Sequence, residues 1–261
     1  MAQVLPFVDL HLHAEGLRDA DLETLALFGL AAAVTCAHDA SSAARPEELR
    51  RHWDELVSVQ LSRLASAGIR PLAARGVHPT QNPWHGLDEL LHALPRYFDD
   101  PRVAALGELG LELGVAREEE VLTRQLELAA LLRKPVIIHT PATDKLLRTK
   151  RVLSLIKESR LPPGRAVIDH VTAETFPLVR ALGCWAGLTL QPGGLDAAGA
   201  ATLLSGHGAE RVVLTSDLGE GPGDLLALPK AAEALREAGL SEALCRKVLH
   251  RGPLEFLGVE P

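Results

Sequence analysis

The sequence predicts an α/β fold, a (β/α)₈ TIM barrel formed by a single domain over residues 1–261. Short runs rich in Val, Ile, Leu and Ala alternate with longer amphipathic stretches, which is the pattern of parallel strands joined by helices. There are eight such runs along the chain, the number that a barrel requires. The length of 261 residues also fits, because such barrels commonly use about 250 residues for one core.

The strands are predicted where apolar residues follow one another without polar alternation, as in strands that are buried on both faces. They are Val4–Leu10, Ala32–Cys36, Arg70–Gly76, Val103–Glu108, Pro135–His139, Ala166–His170, Trp185–Leu190 and Arg211–Asp217. An open, doubly wound sheet is the alternative fold. It would place a Gly-rich phosphate turn after the first strand, where this chain has Asp-Leu-His-Leu-His instead.

The helices are predicted from amphipathic stretches between and after these strands. They are Ala20–Phe28, Pro46–Ala67, Leu87–Tyr97, Glu118–Arg133, Thr143–Glu158, Ala173–Leu182, Ala197–Ser205, Leu225–Ala238 and Glu242–Leu257. Pro46 suits the first turn of its helix, and Gly68 and Gly183 suit the positions just after a helix.

Polar side chains stand at the ends of the predicted strands, where the function of a barrel is located. Six of them are candidate metal ligands: His11, His13, Glu108, His139, His170 and Asp217. Side chains alternate along a strand, so two histidines that are two residues apart point to the same side and can grip one cation. His78 follows the third strand and is a further catalytic candidate.

Each of these residues, taken alone, has a simpler explanation than a metal site. In a chain with 11 histidines an H-x-H arises readily by chance, and a single strand-end histidine is usually a hydrogen-bonded structural residue. The joint pattern favours a metal site, because a buried cluster of imidazoles and carboxylates is costly unless it is paired or binds metal. We expect one or two divalent ions. Zn²⁺ is the first choice, and Mn²⁺ and Mg²⁺ are the alternatives.

Composition excludes several classes of protein. Three scattered cysteines are too few for a disulfide framework, and no apolar run reaches the length of a membrane span. A net charge of −7 and an aromatic content of 3% disfavour nucleic acid as a partner. We therefore expect a cytoplasmic protein that acts on a small-molecule substrate and not at a membrane.

The motifs resemble those of a known family, the TatD-like branch of the metal-dependent amidohydrolase superfamily. The similarity runs over nearly the whole chain, and the segments after the third and fourth strands are its most specific part. The matching segments are Val8–His13, Gly76–Pro79, Gly107–Glu112, Val136–His139, Ile168–His170 and Arg211–Asp217.

The resemblance implies a hydrolytic site with two metal ions, in which Glu108 bridges the pair. It implies that His11, His13 and Asp217 hold one ion, that His139 and His170 hold the other, and that Asp217 also accepts a proton from the attacking water. Some members of the superfamily use a carboxylated lysine as the bridge. No lysine lies on a predicted strand here, which favours Glu108.

The chain also departs from the family pattern. Thr215 stands where the family has Glu, Leu218–Gly221 replaces the usual A-P-[YF], and residues 250–256 lack the common Asn. These changes do not affect the predicted ligands, but they alter the residues around the opening of the barrel, where a substrate would bind. We therefore expect a metal-dependent hydrolase of a phosphoester, amide or ester. The alternatives are a TatD-type deoxyribonuclease and a metal-binding barrel that binds a metabolite without hydrolysing it.

Other polar residues near the strand ends are weaker candidates. Arg75 and Gln191 are candidate substrate contacts on the rim. Cys36 stands two residues before His38, which suggests a Cys–His dyad. The sequence offers no orienting group or oxyanion loop for such a dyad, so the metal site is the preferred hypothesis.

Overall fold

The computed structural model describes residues 5–37, 45–81 and 85–260. Eight parallel strands lie side by side in the order in which they occur in the chain. They are β1 Phe7–Leu12, β2 Leu30–Cys36, β3 Arg70–Ala74, β4 Val103–Gly110, β5 Val136–His139, β6 Ala166–Ile168, β7 Trp185–Thr189 and β8 Val212–Thr215. The predicted barrel is confirmed.

Backbone hydrogen bonds close the barrel between β1 and the segment that follows β8. The Asp217 N–H donates to the His11 carbonyl at 2.8 Å, and the His13 N–H donates to the Leu218 carbonyl at 2.6 Å. The residues that close the barrel are therefore the predicted ligands and their immediate neighbours.

Helices follow the strands and cover the outside of the barrel. They are α1 Asp19–Leu27, α2 Pro46–Glu55, α3 Leu61–Ser66, α4 Leu87–Ala93, α5 Ala116–Leu132, α6 Lys145–Glu158, α7 Phe176–Leu182, α8 Ala197–His207, α9 Ala227–Glu237, α10 Glu242–Arg246 and α11 Gly252–Leu257. Across the described ranges, none of the helices combines the length and apolar character needed to cross a membrane.

The barrel interior is one apolar cluster that receives a buried residue from every strand. Its members include Ile137, Val167, Trp185 and Val213, and Phe256 of α11 joins them from outside the sheet. Only the interior of a closed barrel can bring side chains from all eight strands together. The helix α11 thus covers the amino end of the barrel, and the carboxyl end is left for polar residues.

Several boundaries differ from the prediction for local reasons. The predicted helix Pro46–Ala67 contains one wider turn, at Leu56–Gln60, and the predicted Glu242–Leu257 contains another, at Lys247–Arg251. After Ala93 the chain tightens into a 3₁₀ helix, Leu94–Asp99, where Pro95 has no N–H to donate to an α-helical bond.

Candidate metal centre

Seven side chains that the sequence predicts for the site converge at the carboxyl ends of the strands, around the Glu108 carboxylate. One of its oxygens, Oε2, lies 3.1 Å from Nε2 of His11. The Nε2 atoms of His13 and His78 both lie 3.9 Å from the same oxygen. Glu108 is only 1% exposed, so this oxygen is shielded from bulk water and faces three imidazoles.

The other oxygen of Glu108, Oε1, faces the opposite half of the barrel. It lies 3.2 Å from Nδ1 of His139 and 3.7 Å from Nε2 of His170. His170 and Asp217 adopt left-handed backbone conformations, with φ of 58° and 55°. Such conformations cost about 1–2 kcal/mol in a non-glycine residue, and they persist where the surrounding structure holds them.

Asp169 fixes the ring orientation of His11. Its Oδ2 accepts from Nδ1 of His11 at 2.8 Å, and both residues are fully buried. Because Nδ1 donates, the neutral ring has its lone pair on Nε2. That lone pair points toward oxygens of Glu108, at 3.1 Å, and of Asp217, at 3.4 Å.

His13 shows the same arrangement with different partners. Its Nδ1 donates to the Cys36 carbonyl at 3.3 Å, which leaves the lone pair of the neutral ring on Nε2. This nitrogen lies 3.2 Å from Oδ1 of Asp217. A lone pair directed at a carboxylate oxygen is repulsive unless a proton or a metal ion stands between them.

His139 is the third imidazole of this kind. Its Nε2 lies 2.9 Å from Oε2 of Glu112 and donates to it, so the lone pair of the neutral ring is on Nδ1, 3.2 Å from Glu108. Two buried atoms nearby, Nδ1 of His170 and Oε1 of Glu108, have no hydrogen-bond partner among the described residues. Buried polar atoms are rarely left in this state, which points to a missing group.

The charges in the site also call for a cation. Burial opposes ionisation, yet the Glu108 and Asp217 charges and the Asp169 hydrogen bond raise the pKa of His11 well above its usual value. Burial likewise opposes the rise at His139, whose pKa reaches about 9 because the Glu108 and Glu112 carboxylates stabilise the protonated ring. The carboxylates therefore require positive charge around them, either from protonated rings or from metal ions.

The donor set fits a divalent metal. Imidazole nitrogens and carboxylate oxygens are ligands of Zn²⁺ and other first-row ions, and a ligating His usually donates its second N–H to an outer acceptor. One candidate oxygen or nitrogen from each of His11, His13 and Glu108 lies within 4.8 Å of the other two. The same holds for the trio of His78, Glu108 and His139.

His78 enters the second of these trios with a different tautomer. Its Nδ1 accepts a hydrogen bond from the Thr80 backbone N–H at 3.3 Å and lies 2.7 Å from the Thr80 hydroxyl. Because Nδ1 accepts, the proton of the neutral ring is on Nε2, the nitrogen that faces Glu108. His78 thus presents an N–H donor to the site.

Thr215, which replaces the family's Glu, supports Asp169. Its hydroxyl donates to Oδ1 of Asp169 at 3.3 Å and lies 3.0 Å from the Thr189 hydroxyl. Gly187 leaves the space for this carboxylate, because a Cβ there would lie 1.8 Å from Oδ1 of Asp169. Thr215 therefore helps to hold the carboxylate that orients His11.

Sequence reasoning missed several residues of the site. Asp169 and Glu112 orient histidines that are candidate ligands, His11 and His139. Both lie within the segments that carry the family resemblance, but neither was predicted as a site residue. Glu220, in the altered segment after β8, places an oxygen within 4.8 Å of candidate ligand atoms of His13 and Asp217. The position of these residues in or next to the motifs could have marked them as candidates. Position in the chain does not, however, reveal a contact across the barrel.

Two weaker candidates do not join the site. Arg75, expected at the rim, is 2% exposed and lies against the Tyr97 ring, 4.1 Å from its centroid. The strand alternation turns its side chain toward the helical layer. Burial raises the pKa of Cys36 well above its usual value, which disfavours the thiolate that a Cys–His dyad needs. His38 lies outside the described residues.

A cavity of about 860 Å³ opens beside the metal-ligand candidates. The strand-end residues His139, His170 and Asp217 are part of its lining. The predicted substrate contact Gln191 lines it as well, together with residues of the altered segment after β8. The cavity is large enough for a small organic substrate next to the candidate ligands.

Comparisons with known proteins identify the family of the chain. A family model described as TatD related DNase matches residues 8–191. An uncharacterized metal-dependent hydrolase of Methanocaldococcus jannaschii is 34% identical over 236 residues, which cover 90% of this chain and 93% of that protein. The human 3'-5' RNA nuclease TATDN2 is 29% identical over 136 residues, which cover 50% of this chain and 16% of the nuclease.

Solved structures share the fold of this chain. A TatD-like protein from Archaeoglobus fulgidus superimposes with a TM-score of 0.82 at 31% identity, covering 97% of this chain and 100% of the other. The phosphotriesterase homology protein of Escherichia coli shares the fold, with a TM-score of 0.73 at 16% identity and coverage of 98% and 99%. By its sequence and its structure, the chain belongs to the TatD family of metal-dependent hydrolases.

Proposed function

We propose that the protein hydrolyses a small phosphoester, amide or ester with water activated by divalent metal. One observation carries this proposal: imidazole lone pairs of His11, His13 and His139 are aimed at carboxylate oxygens, and outer acceptors hold each ring in place. Without a cation, this arrangement would set lone pairs against negative charge.

The ligand set divides into two groups around Glu108. His11, His13 and Asp217 would hold one ion, His139 and His170 would hold the other, and Glu108 would bridge them. Divalent ions at these positions would lower the pKa of a bound water toward about 7, which makes hydroxide available at neutral pH. Zn²⁺ suits the four imidazoles best, and Mn²⁺ or Mg²⁺ are the alternatives.

Asp217 is the proposed proton acceptor. Burial opposes its ionisation, but when the His11 and His13 rings are protonated, the positive charge of His11 and the hydrogen bond from His13 lower its pKa below the usual value. It is therefore ionised at neutral pH and can take the proton that the attacking water releases.

His78 is the proposed donor to the substrate. Its Nε2–H faces the site because Thr80 occupies Nδ1. An N–H in this position can stabilise the oxygen of a carbonyl or phosphoryl group on which charge develops.

A nuclease is the second candidate, since the matching family model describes a DNase and one relative is an RNA nuclease. The net charge of −7 favours a small substrate, because a polyanion would meet repulsion beyond the local field of the metals. A barrel that binds a metabolite without hydrolysis is the third candidate, and the presence of all six candidate ligands argues against it.

The test is an activity screen on protein that has been stripped of metal and reloaded with Zn²⁺, Mn²⁺ or Mg²⁺. The panel contains phosphomonoesters, phosphodiesters, amides, carboxylic esters, DNA and RNA. We expect metal-dependent turnover of a small ester or amide that exceeds the turnover of either nucleic acid. Faster cleavage of DNA or RNA would favour the nuclease, and no turnover of any substrate would contradict hydrolysis.

Two further expectations stay proposals. We propose that residues 1–261 form one domain and that the protein is cytoplasmic. All three cysteines are buried and free, which fits a reducing compartment.

A further inference from the structure

Lys145 holds a positive charge at the edge of the candidate active site. It is the first residue of α6, and it lines the same cavity as His139 and His170. Among the described residues that line this cavity it is the one Lys or Arg. Its side chain is half-buried, and this burial lowers the pKa of the amine to about 8.

Two oxygens of Thr140 hold the amine in place. Nζ of Lys145 donates to the Thr140 carbonyl at 2.5 Å and to its hydroxyl at 3.0 Å. The hydroxyl hydrogen is already used, because it donates to the Asp169 carbonyl at 2.7 Å. Thr140 directly follows His139, so the amine is fixed one residue from a proposed ligand.

The charge of this amine is not balanced by a direct ion pair. Both acceptors on Thr140 are neutral, and no carboxylate of the described residues forms a salt bridge with Nζ. Asp169 and Glu112 act on the amine only at longer range. An ammonium group has three N–H donors, so one remains for a group in the cavity.

We propose that Lys145 binds an oxyanion of the substrate, a carboxylate or a phosphate, and so positions the scissile bond at the metal centre. This inference rests on the proposed hydrolase function and adds a substrate class to it. A half-buried, uncompensated cation is costly until an anion pairs with it, and a charge-assisted hydrogen bond is stronger than a neutral one. Lys145 therefore favours substrates with a compact negative group.

Inorganic phosphate and acetate are the first probes. Their affinities are measured by calorimetry on metal-loaded wild type, Lys145→Met and Lys145→Arg, and the metal content of each protein is determined in parallel. Lys150→Met is the control, because Lys150 is exposed on the same helix. We expect Lys145→Met to weaken the favoured anion by about 10–100-fold, the range for charged hydrogen bonds, and Lys145→Arg to recover part of it. The probe that loses more affinity distinguishes phosphate from carboxylate.

Paired substrates provide a kinetic test. A neutral ester is compared with analogues that have a terminal carboxylate or a terminal phosphate, and kcat/KM is measured for each. We expect the preference for the anionic analogue to fall in Lys145→Met, mainly through KM, and to persist in Lys150→Met. If no phosphoester, amide or carboxylic ester is hydrolysed, the proposed function fails, while the calorimetric result still decides the role of Lys145.

NMR of isotope-labelled lysine gives a third readout that needs no metal. The chain has six lysines, so single substitutions can assign their signals. The pKa of Lys145 should rise when acetate or phosphate binds, because an anion favours the charged amine. The proposal would be overturned if Lys145→Met bound the anions as tightly as wild type at equal metal content. It would also be overturned if neither anion changed the pKa of Lys145.

Discussion

At the amino end of the barrel, Trp185 and Val213 pack with Phe256 in an apolar cluster, and the Trp185 and Phe256 rings lie 5.9 Å apart. Two residues further along the same strands, Gly187 and Thr215 surround the buried carboxylate of Asp169 instead. One end therefore gains stability from apolar burial, whereas the other holds buried charge and left-handed residues. Stability and chemistry are separated by a few ångströms along each strand.

This difference means that substitutions at the two ends should affect different properties. Changes at the carboxyl end should affect metal binding and turnover while the fold survives. Changes at the amino end should lower the free energy of unfolding and leave the turnover of folded molecules intact.

The largest effect is expected at the carboxyl end, for Asp217→Asn. This substitution keeps the shape but removes a proposed ligand charge and the proton acceptor. We expect kcat on the substrate found in the screen to fall by about 10²–10⁴-fold, the range for a positioned acid–base group. Asp99→Asn, at an exposed position, is the matched control. Full activity of Asp217→Asn would remove this residue from the mechanism.

At the amino end, Phe256→Ala should have the largest effect on stability. Phe256 is 2% exposed, and truncation of a buried aromatic ring costs about 3–5 kcal/mol. The free energy of unfolding is measured by urea denaturation, and metal content and kcat are measured below the transition. Leu131→Ala is the control, because Leu131 is 78% exposed and its loss should change stability by less than about 0.5 kcal/mol. A large loss of kcat in folded Phe256→Ala would contradict the separation of the two ends.

A smaller effect is expected for Asp169→Ala, which removes the acceptor that orients His11. Loss of such an outer partner typically weakens metal affinity by about 10–100-fold. Competition with a chromophoric chelator measures the affinity, and Asp99→Ala serves as the control. Equal metal affinity in Asp169→Ala and wild type would show that the hydrogen bond to His11 does not support a metal ligand.

The smallest effect concerns pH. The pKa of Lys145 is lowered to about 8 by burial, whereas a lysine in the unfolded chain titrates near about 10.4. Between these values the unfolded state binds more protons, so Lys145 should stabilise the fold progressively as pH rises from about 8 to about 10.4. Urea denaturation of wild type and Lys145→Met across this range should show that difference, and Lys150→Met should not show it.

The barrel could be predicted from the sequence because eight apolar runs alternate with amphipathic helices. The convergence of His11, His170 and Asp217 also followed from the sequence, since parallel strands bring their carboxyl ends to one place. The orienting roles of Asp169 and Glu112 did not, because a hydrogen bond across the barrel leaves no periodic signal. The prediction that Arg75 lies on the rim was wrong, because side chains alternate along β3: Ala74 faces the barrel interior, so the next side chain faces the helices.

The central claim is that the carboxyl-end histidines form a divalent metal site, and metal content tests it most directly. Elemental analysis compares wild type, His11→Ala/His13→Ala and the control His92→Ala/His207→Ala, whose histidines are exposed. Wild type and the control should carry equal metal, and the first double variant should lose at least one ion per chain while its circular dichroism spectrum stays that of a folded barrel. Unchanged metal content in folded His11→Ala/His13→Ala, or no metal in wild type after reloading, would contradict the account.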